Sequence, residues 1–74
     1  MPAAPGAPAD PRRPGGRYYD ASLGCEYEVL AIDSARPGGT CVMTVRIAGE
    51  AMPATTSAAW DPEKDTVVAQ PPAP

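Results

Sequence analysis

The feature that most constrains the fold is the stretch from residue 25 to residue 50. Two runs rich in β-branched and aromatic residues, residues 25–33 and 41–50, flank a Pro-Gly-Gly sequence at residues 37–39. Proline fixes φ at about −65° and glycine readily adopts positive φ, so this sequence suits a tight turn. Two strand-forming runs joined by such a turn predict a β-hairpin, on which the rest of a small sheet would be built.

The turn also predicts the register of this hairpin. If residues 36–39 form a four-residue turn, Ile32 pairs with Met43 and Leu30 pairs with Val45. Because side chains alternate between the two faces of a strand, each face can then be written out. The more apolar face, which is the predicted core face, carries Leu30, Ile32, Cys41, Met43, Val45 and Ile47. The mixed face carries Tyr27, Val29, Ala31, Val42, Thr44 and Arg46.

The remainder of the chain adds short strands and no helix. Residues 54–60 read as an edge strand or a loop, the sequence from Asp61 to Lys64 reads as a turn with proline second, and residues 65–69 read as a last strand. Pro53 argues against a helix over residues 51–59. The predicted class is all-β: a small curled antiparallel sheet of three to five strands, arranged as an SH3-like small barrel or as an open meander.

Both ends of the chain are rich in proline and are predicted to be disordered. Prolines stand at positions 2, 5, 8, 11 and 14, which matches the three-residue turn of polyproline II. The sequence from Pro8 to Arg13 matches P-x-x-P-x-R, a spacing read by SH3-type grooves. The predicted organisation is a basic Pro-rich arm at residues 1–17, a small β domain at residues 18–70 and a tail at residues 71–74.

Size and charge limit the function further. The chain has 74 residues and a net charge of −3, and its three N-terminal arginines lie beside an otherwise acidic body. Such a body is a poor match for duplex DNA, whose phosphates require a basic surface. No run of about 20 apolar residues and no secretory signal is present, so we expect a cytoplasmic protein without a membrane segment. The abundance of alanine, proline, glycine and arginine is typical of a GC-rich bacterial genome.

Residues that carry chemistry are scarce. The sequence contains no histidine, which removes the usual general base and the commonest metal ligand. The hairpin places Cys25 and Cys41 too far apart for a disulfide, so both are expected to be free thiols. Glu26 and Glu28 read as a solvated strand face, and the acidic residues from Asp61 to Asp65 lack the remainder of a calcium loop. We therefore predict no catalytic residue, no metal, no cofactor and no enzymatic activity.

The leading hypothesis is a small non-enzymatic protein-interaction module with an adaptor or regulatory role. A partner would bind the sheet or its edge, or would itself bind the Pro-rich arm. The residues assigned to partner binding are Pro8, Pro11, Arg12, Arg13, Arg17, Tyr18, Tyr19 and Trp60. Two alternatives stay open. One is a nucleic-acid-associated regulator that uses the arginines and tyrosines of residues 12–19, and the other is a homodimer or larger homo-oligomer in which a second copy completes the small core.

Overall fold

The computed structural model describes residues 10–36 and 39–72, which form one antiparallel sheet. Its strands are β1 (Arg17–Asp20), β2 (Cys25–Ala35), β3 (Thr40–Ile47), β4 (Ala54–Ala59) and β5 (Thr66–Ala69). Their order in the sheet is β4-β3-β2-β1-β5. The all-β prediction is confirmed, and the sheet is open, with β4 and β5 as its edges. None of the described residues belongs to a helix long and apolar enough to cross a membrane.

The β2–β3 hairpin has the predicted register only at its centre. Ile32 pairs with Met43 as predicted, but β-bulges interrupt the ladder on both sides of this pair. The bulge between Val29 and Ala31 makes Val29, and not Leu30, the partner of Val45. The turn closes through a hydrogen bond of 2.9 Å from the amide of residue 39 to the carbonyl of residue 36. The predicted turn residues Pro37 and Gly38 lie outside the described residues.

The bulge changes which side chains of β2 enter the core. On β3 the predicted core face is correct, because Cys41, Met43 and Val45 are buried. On β2 the prediction is wrong at the start of the strand. Tyr27 and Val29 are buried there, and Leu30 lies outside the core cluster. A bulge adds one residue to one strand, and so it reverses the inside–outside alternation beyond it. The local pattern of the sequence did not reveal this extra residue.

The core is small and contains three aromatic rings. We call the face of the sheet that carries it the core face, and the opposite face the outer face. The buried members are Tyr18, Tyr27, Val29, Cys41, Met43 and Val45, and the half-buried Ile32, Ile47 and Trp60 pack against them. The centroid of the Tyr18 ring lies 5.9 Å from those of Tyr27 and Trp60. Aromatic pairs at such separations contribute about 0.5–1.5 kcal/mol beyond simple burial.

The connection from β4 to β5 is short. Only residues 60–65 join the two edge strands. Seven residue steps span at most about 24 Å, which is enough to cross a sheet of five strands that lie about 4.8 Å apart. The predicted turn is present: the Lys64 amide donates to the Asp61 carbonyl at 3.2 Å. The Asp61 amide in turn donates to an Asp65 carboxylate oxygen at 2.8 Å, which makes the connection compact.

The two cysteines are free thiols in different surroundings. Cys41 is buried in the core, whereas Cys25 is half-buried at the start of β2. Burial in apolar surroundings disfavours the thiolate and raises the pKa of the Cys41 thiol. Cys41 therefore behaves as a small hydrophobic residue of β3 and not as a reactive group.

Candidate functional site

Part of the predicted N-terminal arm is built into the fold. Residues 1–9, and with them Pro8, lie outside the described residues, but residues 10–16 pack against the core face. We call residues 10–16 the arm segment. Its Gly15 amide donates to the Val29 carbonyl at 2.8 Å, and the Val29 amide donates to the Gly16 carbonyl at 3.0 Å. These bonds extend the pairing of β1 with β2 backwards, so the arm segment is part of the sheet assembly.

Gly16 anchors the arm segment by close approach. The residue is buried, and a Cβ atom built on it would lie 2.6 Å from the Cζ atom of Tyr18. Because the Tyr18 ring is itself fully buried, it has no room to move away. Two consecutive glycines are typical of a flexible joint, but Gly16 is the position where the backbone must lie directly against the aromatic core.

Arg12 is the only buried charged residue among those described, with 6% of its surface exposed. Its Nε donates to Asp10 Oδ1 at 2.9 Å, and its Nη2 also contacts the Asp10 carboxylate. Nη2 donates to the Ala58 carbonyl at 2.9 Å, and Nη1 lies 3.5 Å from the Tyr27 hydroxyl oxygen. The guanidinium carbon is 5.6 Å from the centre of the Trp60 ring, within cation–π range. Burial alone would lower the pKa of Arg12, but its hydrogen bonds to Asp10 and Tyr27 raise it, so the group stays charged.

The backbone on either side of Arg12 forms hydrogen bonds with two side chains, one from β1 and one that directly follows β5. The Arg13 amide donates to the Tyr18 hydroxyl oxygen at 2.7 Å. That hydroxyl lies 2.8 Å from Gln70 Oε1, and Gln70 Nε2 donates to the Pro11 carbonyl at 3.0 Å. The Pro11 carbonyl and the Arg13 amide are thus bound on either side of the buried arginine. We call Tyr18, Tyr27, Ala58, Trp60 and Gln70 the arginine site.

An apolar hollow of about 20 Å³ lies next to the arginine site. Its wall consists mainly of Leu23, Tyr27, Met43, Val45, Ile47 and Ala58, with the Arg12 side chain along one side. Leu23 is 61% exposed, which is unusual for a leucine in a chain with so few large apolar residues. The Asp20 carboxylate fixes the position of Leu23, because Oδ1 accepts bonds from the Ser22 amide at 2.8 Å and from the Leu23 amide at 3.2 Å.

Carboxylates surround the neighbouring depression. A more polar hollow of about 230 Å³ beside Ala58 is lined by Asp20, Asp61 and Asp65, with Lys64 as its one basic residue. The hydroxyl of Ser22 and the amides of the β1–β2 turn keep the pKa of Asp20 below its usual value. The rim is therefore negatively charged at neutral pH. In residues 10–36 and 39–72 no three acidic or cysteine side chains are arranged to hold a metal ion.

The structure brings together only some of the residues predicted to bind a partner. Pro11, Arg12, Tyr18 and Trp60 meet at one place on the core face. By the strand alternation Arg17 and Tyr19 lie on the outer face, where Arg17 Nη2 is 3.5 Å from Glu26 Oε1.

The burial of Arg12 and Tyr18 changes what a partner could reach. Only 6% of the surface of Arg12 and none of that of Tyr18 is exposed, so a partner would reach them only if the arm segment moved. Arg13 is exposed. The role of these residues in partner binding remains a prediction.

Three side chains at or beside the site are absent from the residues predicted to bind a partner. Tyr27 was placed on the wrong face because of the bulge, and Leu23, between β1 and β2, was given no role. Gln70 was predicted to be the last residue of the β domain, with no role in the site. Its side-chain amide nevertheless donates to the Pro11 carbonyl, which is 59 residues away in sequence. An exposed leucine in an otherwise polar turn was the one signal that could have pointed to the hollow.

Acidification should weaken the anchoring of the arm segment. Burial alone would raise the pKa of Asp10, but its bonds from Arg12 outweigh this effect and hold the pKa below its usual value. A depressed carboxylate pKa stabilises the fold above about pH 4, and that stabilisation is lost as the pH falls toward the folded-state pKa. We expect Asp10→Asn to be less stable than wild type at pH 7 and to lose less stability between pH 5 and pH 3. Urea unfolding across this pH range measures the difference, with the exposed Glu63→Gln for comparison. Parallel pH profiles for wild type and Asp10→Asn would contradict the role of this pair.

No protein-family model, curated protein or solved structure matches this chain. Its function is therefore inferred from the contacts, exposure and charges of the arginine site, the apolar hollow and the acidic rim.

Proposed function

We propose that this chain is a small non-enzymatic protein-interaction module whose partner covers Leu23 and the mouth of the apolar hollow. The observation that carries this proposal is the exposure of Leu23, at 61%, on the edge of a hollow lined by core side chains. Single exposed apolar residues are common, and the feature that favours binding here is that Leu23 forms one apolar surface together with the wall of the hollow. The sequence contains no histidine, and its cysteine on the core strand β3 is unreactive, which favours binding over catalysis. We place the module in the cytoplasm.

We further propose that the sheet is of the SH3-like class. Strands β1 to β4 follow one another as neighbours, and β5 returns to pair with β1. The aromatic core supports a curled sheet of this class. The open meander is the alternative, and it would bind its partner through the same hollow.

The hollow and its rim define the chemistry of the partner. The hollow has room for about one water molecule, so an aliphatic side chain of a partner would be only partly buried over its mouth, and this contact alone gives weak binding. The carboxylates of Asp20, Asp61 and Asp65 lie beside the hollow and favour a basic residue next to the apolar one. The expected ligand is therefore a segment with one aliphatic side chain and a neighbouring positive charge.

A photo-crosslinking side chain at position 23 tests this proposal directly. The full-length chain with the crosslinker in place of Leu23 should join covalently to a discrete partner in cells that express the chain at its native level. The matched control carries the crosslinker in place of Val68, which is 44% exposed on edge strand β5. Purified partner should then bind Leu23→Asp at least about tenfold more weakly than wild type, because a carboxylate at position 23 removes the apolar contact at the mouth of the hollow and would be desolvated by the partner. The same products from positions 23 and 68, or unchanged binding by Leu23→Asp, would contradict the hollow as the site.

The two alternatives remain predictions. Of the residues assigned to nucleic-acid binding, Arg12 and Tyr18 are buried, which leaves Arg13, Arg17 and Tyr19 for such a contact. A homo-oligomer would form most readily through an edge strand. Strand β4 contains no charged residue and no bulge along its pairing with β3, and charges and bulges are the usual devices that protect an edge.

A further inference from the structure

We propose that the arginine site binds an arginine-bearing segment of a partner protein, which replaces the arm segment of this chain. The arm segment is then an intramolecular ligand that occupies the site until the partner displaces it. This inference rests on the proposed function, because the hollow supplies the contact that lets a partner compete. It goes further by naming an arginine in an extended segment as the group that is recognised.

Three of the contacts to the guanidinium group come from outside the arm segment. The Ala58 carbonyl comes from β4, the Tyr27 hydroxyl comes from β2, and the Trp60 ring follows β4. All three belong to the sheet and its connections and would stay in place if the arm segment left. A carbonyl, a hydroxyl and an aromatic face together match the donors and the flat cationic face of arginine better than the compact ammonium of lysine.

The arginine site also binds the backbone of the arm segment on either side of Arg12. Tyr18 and Gln70 bond to the Arg13 amide and to the Pro11 carbonyl, and neither bond depends on the side chains at those positions. The requirement on a ligand is an arginine whose preceding carbonyl and following amide are free to form these bonds. Recognition of extended proline-containing segments by aromatic residues is a common mode of peptide binding.

The carboxylate that pairs with Arg12 is not part of the arginine site. Asp10 makes the bidentate contact with Arg12, but Asp10 belongs to the arm segment and would leave with it. A partner segment must therefore carry its own acid near its arginine or rely on the site. The site has negative charge available in Asp20, Asp61 and Asp65, which line the depression next to Ala58.

We assign the ligand to another protein and not to a second copy of this chain. A second copy offers the same arm with the same contacts, but the chain's own arm is tethered at an effective concentration on the order of millimolar. The chain's own arm therefore wins in a dilute solution of identical chains. A foreign segment gains an additional contact if it places an aliphatic side chain against Leu23, over the mouth of the apolar hollow that the Arg12 side chain borders.

The test uses the full-length chain with Arg12→Ala, in which the arm remains but no longer fills the site. The probe is a fluorescent peptide with the sequence of residues 8–16, Pro-Ala-Asp-Pro-Arg-Arg-Pro-Gly-Gly. Fluorescence anisotropy should show that Arg12→Ala binds this peptide at least about tenfold more tightly than wild type does, because the wild-type site is occupied by its own arm. A peptide with alanine in place of the first arginine should lose this binding, whereas one with alanine in place of the second arginine should keep it.

Ethylguanidinium provides a second readout that survives poor folding of the variant. At low millimolar concentration it should raise the melting temperature of Arg12→Ala, or restore its folded circular dichroism spectrum, while ethylammonium should not. Absence of both peptide binding and guanidinium rescue would overturn the proposal. Crosslinking at position 23 would still succeed in that case if only this inference is wrong. Sedimentation of wild type should give a monomer, and a dimer that dissociates in Arg12→Ala would instead assign the site to a second copy.

Discussion

Replacing Arg12 with alanine is expected to lower the free energy of unfolding by about 3 kcal/mol. Removing one partner of a buried, hydrogen-bonded ion pair usually costs about 3–5 kcal/mol. The lower end applies here because the Asp10 side chain is 29% exposed and can regain water. The Ala58 carbonyl and the Tyr27 hydroxyl would also lose a donor. Urea unfolding followed by tryptophan fluorescence measures the loss, since Trp60 lies directly beside the guanidinium group.

Two neighbouring substitutions serve as controls. Arg13→Ala removes an exposed side chain and leaves the backbone amide that bonds to Tyr18, so its stability should change by less than about 0.5 kcal/mol. Arg12→Lys keeps the charge but loses the planar fork and the flat contact with Trp60, so it should fall between wild type and Arg12→Ala. If Arg12→Ala and Arg13→Ala lost the same amount, the buried contacts of Arg12 would contribute nothing specific.

Replacing Met43 with alanine is expected to destabilise the fold by about 2–5 kcal/mol. Met43 is fully buried at the centre of β3, and truncation of a buried methionine removes apolar contacts and leaves a cavity. The cost should be near the upper end of this range, because the core has only six buried members and little else can close over the gap. For a chain of this size each kcal/mol lowers the melting temperature by roughly 4–8 °C. We therefore expect Met43→Ala to be partly unfolded at 37 °C.

Met52→Ala is the matched control for this substitution. Met52 is 75% exposed in the connection between β3 and β4, so the same chemical change removes no core contact. Its melting temperature should lie within a few degrees of that of wild type. A large loss for Met52→Ala would show that the exposed methionine is buried by a partner or by a second copy. A small loss for Met43→Ala would show that the core described by the structure is wrong.

The arginine site combines stability and binding in the same groups. Tyr18, Tyr27 and Trp60 form the aromatic part of the core, and their polar atoms or ring faces also hold the arm segment. A substitution such as Arg12→Ala should therefore lower stability and, on our proposal, open the site to a ligand. Opposite changes in stability and binding are expected where a functional site is occupied by part of its own chain.

The sequence by itself determined the strand-forming runs, the turns that separate them and the core face of β3. These features follow from local rules: apolar and polar residues alternate along β3 from Met43 to Ile47, and Pro62 marks the turn after β4. The absence of histidine and the distribution of charge likewise follow from composition alone. Such properties are set within a few residues, and so one sequence is sufficient to read them.

Only the tertiary structure decided which residues of β2 face inward and where the arm segment lies. The bulge after Val29 is set by packing across the sheet, and it moved Tyr27 into the core against the simple alternation. The sequence places Arg12 in a solvated arm because its burial depends on partners that lie 46 and 48 residues away, at Ala58 and Trp60. Burying a charge costs free energy unless other groups satisfy its hydrogen bonds. For Arg12 these groups are distant in sequence, and only the folded chain brings them together.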